Sequence, residues 1–400
     1  MYYEKRIEQA MEKLFYEDTY IKTFEAKVIL CVPGKKAPYE VILDRTAFYP
    51  EGGGQPADHG MLGTAHVLDV HEKDGHVVHY VDEPLEEGSC VQGTIDWERR
   101  FIHMQNHSGE HLLSGLIHQH YGYDNVGFHM GQEEVTIDFN GPLTAEQVET
   151  LELEANSLIY KDVPVVITYP TPEELHNMEY RSKKELTGQV RIVEIPGGDV
   201  CACCGTHVRT TGEIGIIKVT SLMNYKGGVR MSMLCGQMAL RDYEKKQKLV
   251  TRISNLLSAK PETIADAVEK LKSDSNAKDA KVNQLYQKLF QFKAESLPDR
   301  EKPLLVKEED LNPVQLRQYC TLLYEQGKGN VVLACSEERG VWKYAVGSAT
   351  VDVRPISKKL NGALNGRGGG SNLMAQGTFQ ASWEEIEAAW DENGTVEEKN

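Results

Sequence analysis

Two short segments of the 400-residue chain carry side chains that could bind a metal ion. The first, HSGEH at 107–111, places His107 and His111 four residues apart. On a helix this spacing puts both imidazoles on one face, where they can chelate zinc, although such pairs also occur on solvated helix surfaces. With Glu110, the segment also fits the HxxEH signature of inverted zinc peptidases, in which the glutamate activates a metal-bound water. The segment alone leaves these three interpretations open.

The second segment, CACCGTH at 201–207, favours a metal site shared with the first. Cys203 and His207 have a CxxxH spacing, and thiolates with imidazoles are a ligand set that zinc prefers. Cys201 and Cys204 are alternative thiol ligands. A peptidase of the HxxEH type needs a downstream carboxylate ligand, which a cysteine-rich loop does not supply. The two segments together predict one tetrahedral zinc site and disfavour proteolysis; its ligands are His107, His111, Cys203 and His207.

Hydrophobic patterning indicates which elements hold these segments. Short alternating runs between Gly, Pro and Asp turns indicate strands over residues 23–96, arranged as a small β-barrel. Apolar residues from Phe101 to Ile117 recur at helical spacing and place HSGEH on a helix. Thr144 and Gln147 form a capping box at the start of the next helix. The pattern predicts an α+β fold.

Four regions are expected along the chain. A β-barrel subdomain with a glycine-rich motif precedes an α+β domain that holds the zinc site. A polar helical segment with partial coiled-coil spacing then serves as a linker to a small C-terminal α/β domain. A capping box at Ser382 and Glu385 opens the last helix of that domain. The expected bounds are 1–96, 97–237, 238–298 and 299–400.

Composition restricts the class of protein. The chain has 40% apolar residues, and neither a signal peptide nor an uncharged apolar run of about 18 residues is visible, which predicts a soluble, cytoplasmic protein without a membrane partner. Eight unevenly spaced cysteines do not form a disulfide framework. A net charge of −16 disfavours non-specific nucleic-acid binding, but it leaves room for a specific RNA at a local basic face.

Separated motifs resemble those of the editing domain of alanyl-tRNA synthetases and of free-standing alanyl-tRNA editing proteins of the long AlaX type. The resemblance continues at the carboxyl end with the glycine-rich signature of the terminal domain shared by alanyl-tRNA synthetases and DHH-type phosphoesterases. The chain has CCGTH where the family often has CGGTH. The matching segments are DRTAFYPEGGGQPADHG at 44–60, HSGEH at 107–111, FHMGQEEVTIDF at 128–139, CCGTHV and TGEIG within 203–215, and GRGGGSNLMAQG at 366–377.

The resemblance implies a zinc-dependent trans-editing hydrolase with one zinc ion per chain. Such an enzyme deacylates mischarged tRNA(Ala) that carries serine, with glycine as a second candidate amino acid. Only residues 1–43 precede the first motif, so we expect no aminoacylation activity. Four protein ligands would close a tetrahedral site, which favours substrate positioning by zinc over activation of a bound water. The alternatives are a zinc peptidase and a non-catalytic tRNA-binding relative.

The resemblance also assigns roles to individual residues. It predicts that Thr46 contacts the serine hydroxyl and that Gln55 lines the same pocket. Glu110 is a further candidate, as general base, although on a helix it points about 100° away from His111. In the terminal domain, Arg367 and Gln376 are expected to contact tRNA. The terminal and helical regions are expected to form a homodimer.

Overall fold

The chain has a mixed α+β architecture, as the sequence predicts. The computed structural model describes residues 11–182 and 188–394. The protein divides into two compact units between Thr251 and Arg252, within the segment expected to be a helical linker. In the described parts of the chain, no helix is both long enough and apolar enough to span a membrane.

Six antiparallel strands of the first unit form a closed barrel. Residues alternate in and out along the strands, as in Thr23–Pro33, where Phe24, Ala26 and Val28 face the core. Two short strands, Glu12–Lys13 and Arg45–Thr46, pair in parallel apart from the barrel. The short helix Leu14–Glu17 lies between them in sequence. In spatial order the barrel strands are Thr23–Pro33, Tyr39–Leu43, His76–Val81, Ala65–Lys73, Gly60–Leu62 and Cys90–Ile95.

A 25-residue helix, Trp97–Tyr121, follows the barrel and is called here the histidine helix. The Asp96 side chain caps its first turn by accepting a hydrogen bond from the Arg99 N–H, and Gly122 ends it in a left-handed conformation with φ of 68°. Every residue from 103 to 117 is buried. A helix buried on all sides packs between other elements rather than on a surface.

Glycine allows this close packing of the histidine helix. A Cβ at Gly109 would overlap the Cys235 sulfur, and a Cβ at Gly115 would overlap the Gly198 carbonyl oxygen. His107 is only 2% exposed. The interpretation of HSGEH as a solvated helix face is therefore wrong, because the tight packing turns its polar side chains toward the protein interior.

A buried ion pair fixes the histidine helix against the preceding segments. The Arg100 guanidinium is fully buried, and its Nε donates to Asp58 at 2.9 Å. The same guanidinium donates to the carbonyl oxygens of Thr19 at 2.8 Å and Ala47 at 2.6 Å. Removal of one partner of a buried pair costs about 3–5 kcal/mol, so this network strongly constrains the helix start.

Two further sheets and four further helices complete the described first unit. The capping box of Thr144 and Gln147 is present, as predicted. The strands, in spatial order within each sheet, are Ile217–Tyr225, Gly228–Cys235, Val135–Phe139 and Asn125–Met130, then Val166–Thr168, Ile192–Ile195 and Asp199–Ala202. The helices are Ala145–Tyr160, Pro172–His176, the 3₁₀ helix Thr211–Ile214, and Gly236–Leu257, which runs into the second unit.

The second unit contains one five-stranded sheet with helices. The predicted capping box of Ser382 and Glu385 is present. Helix Ile264–Glu295 is exposed along most of its length. The sheet order is Leu304–Glu309, Val332–Glu338, Val341–Gly347, Met374–Phe379 and Arg367–Gly370. The other helices are the 3₁₀ helix Pro261–Thr263, Pro313–Glu325, Arg354–Ala363 and Trp383–Asn393.

The glycine-rich segment of the second unit is a β-hairpin. From its pattern alone it would be a flexible loop, but strand Arg367–Gly370 pairs with strand Met374–Phe379. A Cβ at Gly368 or Gly377 would overlap the facing backbone and approach the Tyr344 ring, which stacks on Phe379 at 4.1 Å between centroids. Glycine is therefore needed here for close packing of the hairpin.

Candidate metal centre and substrate pocket

Four side chains from two distant segments form the candidate metal centre, called here the cluster. One potential ligand atom from each residue lies within 4.8 Å of the others. The Cys203 Sγ is 3.5 Å from Nε2 of both His107 and His207. The histidine helix supplies two members, and the loop after strand Asp199–Ala202 supplies the other two. The structure thus brings together all the predicted ligands, His107, His111, Cys203 and His207.

Hydrogen bonds orient two of the cluster imidazoles. The Nδ1 of His107 lies 2.8 Å from Gln55 Oε1, and the Nδ1 of His111 lies 2.9 Å from Asp199 Oδ2. Amide and carboxylate oxygens only accept hydrogen bonds, so both Nδ1 atoms must carry the proton. When the rings are neutral, each Nε2 keeps a lone pair for a metal ion, which is how metal-binding histidines are commonly oriented.

Ser108 contacts the third imidazole of the cluster. Its hydroxyl oxygen lies 3.1 Å from His207 Nδ1 and accepts the Val208 N–H, also at 3.1 Å. The Thr19 hydroxyl donates to the His207 carbonyl oxygen at 3.2 Å. His207 is thus held from both its ring and its backbone.

Gln55 is fully buried and connects the first glycine-rich motif to the cysteine loop. Besides contacting His107, its amide oxygen accepts the Thr206 N–H at 3.1 Å, and its Nε2 donates to the Thr206 hydroxyl at 2.8 Å. Sequence reasoning predicted Gln55 as a pocket-lining residue. In the structure it contacts two elements of the centre directly, which gives it an orienting position beside His107.

Two glycines allow backbone and rings to approach His107 closely. Phe128 stacks on the His107 ring at 5.3 Å between centroids. Gly54 has φ of 87°, and a Cβ there would lie 2.5 Å from Phe128 Cδ1. A Cβ at Gly205 would overlap the His107 ring. Gly54 of GGGQ and Gly205 of CCGTH are therefore explained by steric need around one imidazole.

Asp199 and Arg181 are functional candidates that sequence reasoning missed. Arg181 donates to both carboxylate oxygens of Asp199, at 2.7 and 2.9 Å. Burial alone would raise the pKa of Asp199, but the hydrogen bonds from His111 and Arg181 lower it. An ionised Asp199 therefore orients His111. The sequence offers no sign of this role except the position of Asp199 two residues before Cys201.

Two cluster members, Cys203 and His207, have protonation states that suit metal binding. Burial alone would raise the pKa of the Cys203 thiol, but the charges and hydrogen bonds of His107 and His111 lower it well below its ordinary range. Burial lowers the pKa of His207 to about 3. Thiolate and neutral imidazole are the forms that ligate metals. For His111, burial would lower the pKa, but the charges of Cys203 and Cys201 and the Asp199 hydrogen bond raise it well above its ordinary value, so a metal ion must displace a proton from this ring.

The geometry of the cluster fits zinc. Tetrahedral zinc with typical Zn–N and Zn–S bond lengths separates a ligating nitrogen from a ligating sulfur by about 3.5 Å. The two sulfur–nitrogen distances measured from Cys203 have this value. Imidazole nitrogens and thiolate sulfur are also the ligand types that zinc prefers. The residues therefore match zinc in both chemistry and spacing.

The two neighbouring thiols occupy different environments. Cys204 is exposed. Cys201 is buried, and its sulfur groups with His111 and Asp199 within 4.8 Å. Burial raises the pKa of Cys201, which favours the protonated thiol. Of the three thiols, only Cys203 belongs to the four-residue group among the described residues.

Thr46 lies in a buried hydrogen-bond chain with His79. Its hydroxyl is 2.8 Å from His79 Nε2 and accepts the Phe48 N–H at 3.1 Å. Burial lowers the pKa of His79 to about 4, so the ring is neutral. Its Nδ1, 3.1 Å from the Val41 carbonyl oxygen, must donate, and its Nε2 accepts the Thr46 proton. Thr46 therefore retains one hydroxyl lone pair, and its hydrogen bonds do not reach the cluster.

The remaining predicted residues lie in other surroundings. Glu110 is fully buried and accepts hydrogen bonds from Ser114, at 2.7 Å, and from Asn125. Arg367 is exposed on the glycine hairpin of the second unit. On the neighbouring strand, Gln376 donates to the Pro313 carbonyl oxygen at 2.7 Å.

Two parts of the chain match known protein families. Residues 2–99 match the family described as tRNA synthetases class II (A). Residues 190–254 match the family described as Threonyl and Alanyl tRNA synthetase second additional domain. The second match contains both members of the cluster from the cysteine loop.

Curated relatives cover most of the chain. Alanyl-tRNA editing protein AlaX-L from Pyrococcus horikoshii is 29% identical over 94% of this chain and 96% of its own length. Alanine–tRNA ligase from Pyrobaculum calidifontis is 33% identical, over 94% of this chain and 43% of the ligase. Alanyl-tRNA editing protein Aarsd1-B from Xenopus laevis is 34% identical, over 65% of this chain and 67% of its own length. The chain therefore belongs to the family of alanyl-tRNA editing proteins, as its motifs indicated.

Proposed function

We propose that the chain is a zinc-dependent deacylase that hydrolyses the ester between serine and tRNA(Ala) in trans. The convergence of three imidazole nitrogens and one thiolate supports this proposal, together with membership of a family whose relatives are named alanyl-tRNA editing proteins. The proposed partner is mischarged tRNA(Ala), and glycine is a second candidate for the amino acid. The proposed ligands are His107, His111, Cys203 and His207.

Physical chemistry explains why such an activity is needed. A synthetase pocket that accepts alanine cannot strongly exclude glycine, which is smaller, or serine, which adds only a hydroxyl. A second hydrolytic site can discriminate better, because a buried polar group placed for the serine hydroxyl is left unpaired when alanine enters.

The residues of the chain have separable roles in this reaction. When bound, zinc would supply a Lewis acid for the substrate's amino or ester group. Gln55 and Asp199 hold the rings of His107 and His111, and Ser108 contacts that of His207. Because these three side chains and the ligands are largely buried, they form a pre-oriented wall for the ester. A set of four protein ligands favours substrate positioning over activation of a bound water.

Thr46 is the proposed discriminating residue. The Thr46 hydroxyl donates its hydrogen bond to His79, so its oxygen can only accept a further hydrogen bond. A serine hydroxyl can donate that bond, whereas the alanine methyl group cannot. Gln55 then contributes to the pocket through His107 rather than by discriminating serine itself.

Glu110 is not included among the proposed catalytic groups. It accepts hydrogen bonds from Ser114 and Asn125. In an HxxEH peptidase the glutamate activates the metal-bound water, and a carboxylate is the third metal ligand. In the cluster, the corresponding ligands are a thiolate and an imidazole. This donor set favours the deacylase over the peptidase.

The deciding experiment compares aminoacyl-tRNAs as substrates. Purified protein is incubated with Ser-tRNA(Ala), Gly-tRNA(Ala) and Ala-tRNA(Ala), and loss of each ester is followed with time. We expect Ser-tRNA(Ala) to be hydrolysed at least about a hundredfold faster than Ala-tRNA(Ala). Equal rates, or no hydrolysis by the zinc-loaded protein, would refute the proposed function.

The cysteine assignment is tested by metal content. We expect Cys203→Ala to lose stoichiometric zinc and deacylation, because a thiolate ligand is removed, while Cys204→Ala retains both. Zinc is measured by atomic emission after dialysis. Full zinc content in Cys203→Ala would instead assign the fourth ligand to Cys201 or Cys204.

Two proposals concern the second unit. We propose that exposed Arg367 contacts a tRNA phosphate and that Gln376 supports the same hairpin through its bond to the Pro313 carbonyl oxygen. The exposed apolar side chains of helix Ile264–Glu295 suit the homodimer expected from the sequence. Sedimentation of the full chain measures the second proposal, with a monomer at all concentrations as the contrary result.

A further inference from the structure

A cavity of about 290 Å³ lies at the start of the histidine helix, within the first unit. It is lined by the helix residues Arg99, Ile102 and His103, by the strand end and turn at 130–132, and by Met238 and Arg241 on a later helix. Its volume is close to the lower limit for small-molecule pockets, about 300 Å³. None of the proposed zinc ligands lines it.

The cavity is adjacent to the cluster. His103 precedes His107 by four residues, which is one helical turn or about 6 Å along the axis. The strand opposite the helix also connects the two sites. Phe128 of this strand stacks on His107, and Met130, two residues further along, lines the cavity. A group bound in the cavity would therefore lie one side chain away from a substrate at the cluster.

A buried polar atom in the cavity wall lacks a partner. His103 is 7% exposed, and its Nδ1 is buried without a hydrogen-bond partner among residues 11–182 and 188–394. Burial lowers the pKa of His103 to about 3, so the ring is neutral. Because Nδ1 is too deeply buried to reach a ligand in the cavity, the other ring nitrogen, Nε2, is the atom that can hydrogen-bond the polar edge of a ligand.

The lining favours a neutral, flat, polar ligand over a phosphate. Its two arginines are balanced by two carboxylates, and Arg241 already pairs with Glu98. Phosphate binding requires an excess of positive charge, which this lining lacks. Ile102, Met130 and Met238 supply apolar surface on which a nucleobase can lie, while the His103 ring and guanidinium planes provide polar edges and stacking.

We propose that this cavity binds the adenine of the terminal nucleotide of tRNA, with His103 hydrogen-bonded to the base edge. This inference rests on the proposed deacylase function, because an ester held at the cluster is attached to the ribose of that nucleotide. The length of one ribose then separates the ester from the base, in agreement with the single helical turn between His107 and His103.

The test changes the terminal base and His103 separately and together, and compares the effects on KM. Ser-tRNA(Ala) is prepared with its natural terminal adenosine and with terminal purine riboside, which lacks the exocyclic amino group. We expect the modified base to raise KM of the wild-type protein about tenfold, with kcat changed less than about twofold. His103→Phe should also raise KM for the natural substrate about tenfold. With the modified substrate, KM of His103→Phe should equal that of the wild-type protein. His118→Phe, an exposed histidine on the same helix, is the matched control and should leave both constants unchanged.

Several results would overturn the inference. If terminal purine riboside leaves KM of the wild-type protein unchanged, the inference is wrong. It is also wrong if KM of His103→Phe rises further with the modified substrate, because the two losses would then be additive. Binding of the unreactive serine amide of 3′-amino-3′-deoxyadenosine gives a second readout: we expect its Kd to rise about tenfold in His103→Phe, and an unchanged Kd rejects the adenine site. Inactive wild-type protein would refute the deacylase, whereas active wild-type protein with either negative result would refute only the adenine site.

Discussion

The two units differ in what they bury. All 13 histidines of the chain lie in the first unit, where His79, His107, His111 and His207 are each at most 2% exposed. The second unit has no histidine, and its described core is mainly apolar, with the Tyr344–Phe379 stack at its sheet. Buried polar groups lower stability unless they are paired. The prearranged site of the first unit therefore lowers the stability of that unit.

This difference shows which unit should respond to metal and acid. In the first unit, ligands and their hydrogen-bond partners form part of the core, so the state of the site and the stability of the unit are coupled. In the second unit, packing of glycine against aromatic rings decides stability. Charged side chains on its surface can therefore bind tRNA without affecting its core. Four measurements separate these behaviours.

Zinc removal should have the largest effect, and only on the first unit. Zinc present at a thousandfold above its Kd stabilises a native protein by about 4 kcal/mol. We expect a chelator to lower the free energy of unfolding of the first unit by this amount. Hydrogen exchange followed by mass spectrometry on peptides from each unit measures the difference. Equal acceleration of exchange in peptides of both units would contradict the expectation that zinc stabilises only the first unit.

Acid should destabilise the first unit at pH values where the second is insensitive. The folded pKa of His79, about 4, lies below its ordinary value of 6.5, so the unfolded chain binds more protons in this window. Stability present above pH 6.5 is therefore lost as pH falls toward 4, by about 3 kcal/mol for this one residue. Peptide-level exchange between pH 7 and 4, corrected for intrinsic rates, measures the loss, and a flat profile for barrel peptides contradicts it.

Glycine replacement should damage the second unit without affecting the metal centre. A Cβ at Gly377 would overlap the Arg367 carbonyl oxygen and lie 2.6 Å from Tyr344 Cε1, so we expect Gly377→Ala to cost about 1–3 kcal/mol. Gly369→Ala, which meets no atom within 4 Å, is the matched control. Denaturation and zinc content are measured on both. A loss of zinc in Gly377→Ala would show that the two units are not independent in this respect.

The smallest effect is expected from a surface charge. Arg367→Ala should weaken tRNA binding a few-fold and reduce the slope of log K against log salt by about 1, because one phosphate contact is lost. Arg317→Ala, another exposed arginine of the second unit, serves as control. Identical salt slopes for the two variants would remove Arg367 from the proposed tRNA contacts.

Local patterns in the sequence predicted part of this arrangement. Spacing within a helix or a tight loop identified His107 with His111 and Cys203 with His207, and capping chemistry identified the helix starts at Thr144 and Ser382. These signals are visible because the cooperating residues are neighbours in the chain.

The orienting groups could not be predicted in this way. Asp199 pairs with His111 across 88 residues, and Gln55 reaches Thr206 across 151. The His79 contact with Thr46 depends on two barrel strands and the short strand Arg45–Thr46 meeting in the core. Such contacts create no periodicity, and a lone aspartate or histidine in a strand resembles any other. The glycine hairpin at 366–377 was equally ambiguous, because its need for glycine comes from Tyr344 on another strand.

The split between the two halves of the cluster has a consequence for the order of events during synthesis. His107 leaves the ribosome 96 residues before Cys203 does, and His111 follows His107 by only four residues. Until the chain has been extended through His207, the histidine helix carries half a site, without its thiol and without the aspartate that orients His111. The newborn protein therefore cannot assemble its centre progressively. It must hold a polar, incomplete helix until about half of the polypeptide has been made, and the centre then closes in one late step.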